Sequence, residues 1–110
     1  MPRGEFIGSL EHIVLLALVQ LDKNAYGMTV RREIEARTGR DISIGAVYAT
    51  LERLETKGYV RSQLGEPTAE RGGRAKRLFR IEAGGEAALR ASHEAILKMA
   101  AGLRRRWCTT

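Results

Sequence analysis

Residues 43–58 read SIGAVYATLERLETKG, and the way this stretch is taken decides the fold. Ser43 can cap a helix and Gly58 can end it. Ile44, Val47, Leu51 and Leu54 recur at spacings of three and four, which marks one face for a core. Tyr48 lies at the margin of that face. The opposite side carries Ala46, Ala49, Thr50, Arg53 and Lys57. Solvated helix faces usually fill with Glu, Lys and Gln, which favour helix and water alike. Small side chains at the start and cations toward the end suit a helix whose backbone comes close to another surface.

Working outward, the next stretches are short strands, YVRSQL and KRLFRI, joined by GEPTAERGGRA, a loop rich in turn residues. Between residues 71 and 80 lie Arg71, Arg74, Lys76, Arg77 and Arg80, with no acid among them. Gly72 and Gly73 permit positive φ and a tight tip. Phe79 and Ile81 alternate with Leu78 and Arg80, so one face of the returning strand can pack on a core. A cationic tip on an anchored two-stranded ribbon suits a phosphate backbone or a minor groove. Helix, helix and basic hairpin together read as a winged helix-turn-helix.

Before that helix, AYGMTVRREIEARTG reads as a second helix, with Tyr26, Val30 and Ile34 on one face and Gly39 as its left-handed terminator. DKN at residues 22–24 reads as a turn. SLEHIVLLALVQL reads as a first helix over residues 10–21, with Ser9 as its cap. Its apolar residues do not keep to one stripe: Leu10, Val14 and Leu18 share one side, while Leu15, Leu16 and Val19 point away from it. A helix apolar all round must be covered on both sides. The expectation is that a second subunit supplies one cover.

Residues 85–107 read as a long last helix. Leu89, Ser92, Ile96, Met99 and Leu103 follow a narrow seam of alternating threes and fours, as in a coiled coil. Dimerisation is thus expected from two helices. The expected interface residues are Leu10, Val14, Leu15, Leu18, Leu89, Ile96, Met99 and Leu103. The fold class is mainly α with a small β-hairpin. Residues 1–82 are expected to form the winged helix-turn-helix and 83–110 the C-terminal dimerisation helix and basic tail.

The totals agree with a single domain of this kind. The chain has 110 residues, 44% hydrophobic and 29% charged, and 19 Lys+Arg against 13 Asp+Glu give a net charge of +6. A basic balance favours polyanionic partners, and here the cations cluster. Aromatics make up 5%, too few for the stacking platforms of single-strand RNA binders. The longest apolar run, IVLLALV, falls far short of the ~20 residues that cross a bilayer. No basic-then-apolar leader opens the chain, so a cytoplasmic location without membrane contact is expected. Cys108 is the single cysteine, which excludes an internal disulfide. His12 and His93 fall on different helices without the spacing of a metal set. RGGR does not lead from a strand into a helix as a phosphate loop would. Neither an enzyme, a metal nor a cofactor is expected.

With AYG, GAVYATLERLETKG and RGGR in this order, the chain resembles the PadR family of transcriptional regulators, over about residues 8–103. The resemblance implies a winged-helix repressor that works as a homodimer built by the first and last helices. It also implies that Tyr48 lies near DNA phosphates and that Arg71, Gly72, Gly73 and Arg74 form the wing tip. Two positions depart from the family pattern. Ala49 stands where many relatives have proline, and Glu82 stands where threonine is common before the last helix.

The expected function follows. Ala46, Ala49, Thr50 and Arg53 face bases in the major groove of double-stranded DNA. Ser43, Tyr48, Lys57, Lys76, Arg77 and the wing tip hold the backbone. The operator is a pseudo-palindrome, and a small aromatic effector bound between subunits, with Trp107 contributing, could release it. The alternative is a winged-helix module that docks on an acidic protein through its wing.

Overall fold

The structure, a computed structural model, describes residues 7–65 and 76–108. Helix α1 (Ser9–Leu21) is followed by a 3-10 turn (Asp22–Asn24), α2 (Gly27–Thr38) and α3 (Ile44–Thr56). Strands β1 (Val60–Leu64) and β2 (Arg77–Ile81), helix α4 (Ala83–Ala100) and a short α5 (Leu103–Trp107) complete the order. The strands pair antiparallel from Val60 opposite Ile81 to Leu64 opposite Arg77. This is the winged-helix arrangement: α2 and α3 form the helix-turn-helix, and β1–β2 form the base of the wing.

The stop signals act as their chemistry requires. Gly39 ends α2 at φ 74°, donating its N–H to the Glu35 carbonyl. Gly58 follows α3 at φ 83° and donates to Glu55 O, while Tyr59 N–H reaches back to Leu54 O. That doubled bond pattern satisfies the last carbonyls of α3 and turns the chain straight into β1.

Helix α1 is the centre of the subunit, packed against α2, α3, α4 and β2. Val14 and Leu15 are fully buried, Leu18 nearly so, and Leu16 is half-buried. They join Val30, Ile34, Val47, Leu51, Leu54, Val60, Phe79 and Leu89 in one core. Burying each such leucine contributes about 1.5–3 kcal/mol relative to leaving it in water. Much of the cover that α1 needs therefore comes from its own chain, although Val19 stays exposed and Leu10, Ile13 and Leu16 are only half-buried. α2, α3, β2 and the first half of α4 close around the helix from several sides. Of the expected interface residues, Val14, Leu15, Leu18 and Leu89 lie in the core of the chain itself.

Two boundaries also differ. The cap of α1 is Gly8 rather than Ser9, because Glu11 Oε1 reaches back to accept the Gly8 N–H at 3.0 Å. The last helix is not continuous to Trp107: it stops at Ala100, and Gly102 at φ 90° redirects the chain into α5. At the other end of α4, Glu82 caps without its side chain, and its N–H bonds Tyr59 O at 2.8 Å. A Cβ on Gly85 would stand 2.2 Å from that same carbonyl. Glycine at 85 is what lets α4 begin flush against the end of the hairpin. Among the described residues no helix is long and apolar enough to cross a membrane.

Candidate nucleic-acid interface

Helix α3 starts with the expected cap, Ser43 Oγ accepting from Ala46 N at 3.1 Å. From there the helix buries Val47, Leu51 and Leu54 completely. Thr50 is buried with them, 1% exposed, and its hydroxyl donates to the Ala46 carbonyl at 2.8 Å. The expectation that Thr50 faces bases is corrected: its methyl sits in the interior and its hydroxyl is satisfied one turn back. Ala46 is half-buried, and Ala49 and Tyr48 are exposed. The exposed residues of α3 are Gly45, Tyr48, Ala49, Glu52, Arg53, Glu55 and Thr56. Gly45 and Glu52 escaped the sequence reading, although both lie on the i, i+3, i+4, i+7 stripe that includes Tyr48 and Ala49.

Tyr48 is held by a specific neighbour. A Cβ on Gly27 would meet its Cζ at 2.4 Å and its hydroxyl oxygen at 2.5 Å. The phenol therefore lies across the first turn of α2, and glycine is the residue that admits it. The residues beside that glycine anchor the hairpin. Ala25 O accepts the Phe79 N–H at 2.8 Å, and Tyr26 forms a bridge with Leu78. Lys76 Nζ donates to the Tyr26 hydroxyl at 3.1 Å and stands 4.3 Å above the ring. One short sequence, AYG, thus seats both the aromatic side chain of α3 and the root of the wing.

Further cations lie on the hairpin. Arg77 donates to Ser62 Oγ at 3.0 Å, and that hydroxyl donates to Glu55 of α3 at 2.8 Å. Arg80 is exposed on β2 but stands beside Val19, Asp22 and Glu86 rather than beside α3. Arg71, Gly72, Gly73 and Arg74 lie outside the described residues. The two cations at the end of α3 meet an acid that the sequence reading did not connect with them. Lys57 Nζ donates to both carboxylate oxygens of Glu11 at 3.2 and 3.0 Å. Arg53 Nε lies 3.6 Å from the same group and its Nη2 reaches Thr50 Oγ1 at 3.3 Å. Burial works to raise the Glu11 carboxyl, but the Gly8 N–H and the Lys57 and Arg53 charges outweigh it and hold its pKa below the usual value.

On the far side of α1, His12 is buried and shares a 2.8 Å hydrogen bond with Ser92 Oγ of α4. Burial, and then the nearby His93, depress its pKa. Beyond it opens an apolar groove of about 460 Å³, lined among others by Ile7, His12, Ile96, Met99 and Leu103. Ile96, Leu97 and Met99 are exposed, Met99 to 84%. Leu10 and Leu103 are half-buried, and Trp107 is exposed and lies outside the groove's lining. Among the described residues no group of three or more His, Cys, Asp or Glu could hold a metal ion.

A helix-turn-helix followed at once by a β-hairpin defines a winged-helix protein. Residues 15–91 match the transcriptional regulator PadR-like family, and the chain belongs to it. It is accordingly a regulator and not an enzyme. Solved structures share its fold over nearly the whole length. A PadR-like transcriptional regulator from Bacillus cereus superimposes with a TM-score of 0.72 at 17% identity, covering 92% of this chain and 93% of its own. A PadR family regulator from Eggerthella lenta gives 0.67 at 24% identity, covering 92% and 88%. A putative transcriptional regulator from Thermoplasma acidophilum gives 0.69 at 20% identity, covering 94% and 99%. A search of curated proteins finds no match to the chain.

Proposed function

We propose that this chain is a homodimeric repressor that binds duplex DNA in the cytoplasm. The observation that carries the reading is the open face of α3, bare of long side chains at Gly45 and Ala49 and bordered by the basic root of the wing. In helix-turn-helix proteins the N-terminal half of the second helix enters the major groove. Gly45, Ala46 and Ala49 let the α3 backbone approach closely, and Glu52 and Arg53 offer an acceptor and a donor to base edges. Ser43, Tyr48 and Arg77 lie on the flanks where phosphates run, and Lys76, Arg71 and Arg74 extend that contact along the wing.

The partner surface is the second half of α4. Ile96 and Met99, one turn apart on the groove side, and Leu97 beside them are apolar side chains left in water, which disfavours them, and Leu10 and Leu103 are half-buried. Residues 1–82 then serve DNA and 83–110 serve the partner, with the first turns of α4 contributing to the core. Two reading helices related by a dyad meet one face of DNA about one turn, ~34 Å, apart, so the operator is a pseudo-palindrome. Repression follows from occupying a promoter. A small aromatic effector in the groove beside Ile96 and Met99 acts by favouring one dimer geometry over the other.

Selection of bound sequences from a random duplex pool at near-physiological salt tests this reading. An enriched inverted repeat with half-sites about one turn apart is expected. Salt-sensitive binding with no enriched sequence would sink it, and binding only to an acidic protein would move the wing to a protein-docking role.

A further inference from the structure

Glu11 is the one acid among the buried polar residues of the described chain, 5% exposed, and it does not serve α1 alone. Its carboxylate touches Gly8 N, Lys57 Nζ and Arg53 Nε, so it ties the start of α1 to the end of α3 across 46 residues of sequence. We propose that Glu11 is a specificity-setting positioning residue: contrary to the backbone role expected of Lys57 from sequence, it withholds Lys57 from the DNA backbone, and it fixes the direction in which Arg53 reaches. The inference rests on the reading of α3 as the DNA-facing helix.

The geometry separates the two cations. Lys57 is gripped by both carboxylate oxygens, and only 34% of its side chain is exposed. Arg53 is touched at one edge, by Glu11 and by the Thr50 hydroxyl, and 56% of its side chain stays open. A lysine free at the end of α3 would add a mobile, sequence-blind attraction for phosphate. A guanidinium free to swing could satisfy several base steps. Holding the first and orienting the second removes affinity that every sequence would share, and leaves the part that discriminates. An ion pair at an open surface would lose its grip in salt, whereas screening reaches a buried carboxylate much less.

Glu11→Gln tests the proposal, because it keeps an oxygen for the Gly8 N–H and removes the charge. Binding to a selected operator and to random duplex is measured against salt for wild type and variant. The variant is expected to bind random duplex more tightly. Its slope of log K against log salt should steepen by roughly 0.9 per subunit, one added phosphate contact each. The ratio of operator to random binding should fall. Lys57→Gln in the wild-type background should leave the slope unchanged, and in the Glu11→Gln background it should abolish the added slope.

A lower melting temperature with unchanged slope and ratio would reduce Glu11 to a structural ion pair and overturn the proposal. So would a Lys57→Gln single variant that flattens the slope by a full contact, a result that needs no Glu11 variant to fold. Wild type without salt-dependent duplex binding would instead sink the DNA-facing reading, and this proposal with it.

Discussion

Helix α1 and the second half of α4 are both rich in apolar side chains, yet only one of them finds cover within the subunit. Leu15 and Val14 of α1 are fully enclosed, while Ile96, Leu97 and Met99 of α4 stand half or more in water. Composition does not separate them. Position does: α1 has α2, α3, α4 and β2 on its sides, and α4 runs out past the core after Leu89. An apolar helix signals a need for cover, and only the tertiary arrangement says whether the same chain meets it.

The comparison breaks most decisively in the core. Leu15→Ala should cost about 2–5 kcal/mol of folding stability, the cost of lost transfer energy plus a cavity. Chemical denaturation measures it, and a cost near zero would mean that α1 is not enclosed as described. Gly85→Ala comes next, at about 1–3 kcal/mol, since the added methyl must displace the Tyr59 carbonyl from the start of α4. The same measurement checks it.

Acid probes the seam where the two helices meet. His12 of α1 faces Ser92 and His93 of α4. Its folded pKa lies below the unfolded value near 6.5, so the stability it preserves is full above that pH and is lost as pH falls through the folded value. A melting temperature that declines on acidification below about pH 6.5 is expected, with that decline absent in His12→Gln. Glu11, also depressed, loses its contribution only in the carboxylate range, below its ordinary value of 4.5. The two steps are therefore separable on one pH axis.

Ile96→Asp should have the smallest effect on the subunit, within about 0.5 kcal/mol, as for other surface changes. Its expected effect is on association: sedimentation should shift from dimer to monomer. A large loss of subunit stability would show that Ile96 belongs with α1 on the enclosed side of the comparison.

Much of this arrangement was legible in the chain. Ser43, Gly39 and Gly58 are punctuation with a local mechanism, and the alternation in RLFRI carries its own register, so the elements between them could be read directly. Two of the misreadings depend on distant neighbours, and the cap of α1 on a carboxylate only three residues away. A helical wheel sets Thr50 among small polar-face residues, but the packed fold buries it. Ser9 is the better cap by type, but Glu11 reaches Gly8. Nothing near Lys57 in sequence announces a carboxylate 46 residues away. The exposure of Gly45 and Glu52 was available from the spacing of Tyr48 and Ala49, once Tyr48 was taken as the centre of the open face rather than its margin.

The contact between Gly85 and the Tyr59 carbonyl has a mechanical consequence. Because α4 starts flush against the hairpin, with Glu82 alone between β2 and its first residue, the end of the strand pair sets the direction of the helix. Eighteen residues of α4 make a lever about 27 Å long. In a dimer joined at the outer end of that lever, a rotation of ~10° at the joint would carry the inner end ~5 Å. On the proposed reading, a guest molecule that wedged two such levers slightly apart would shift both hairpins against the groove.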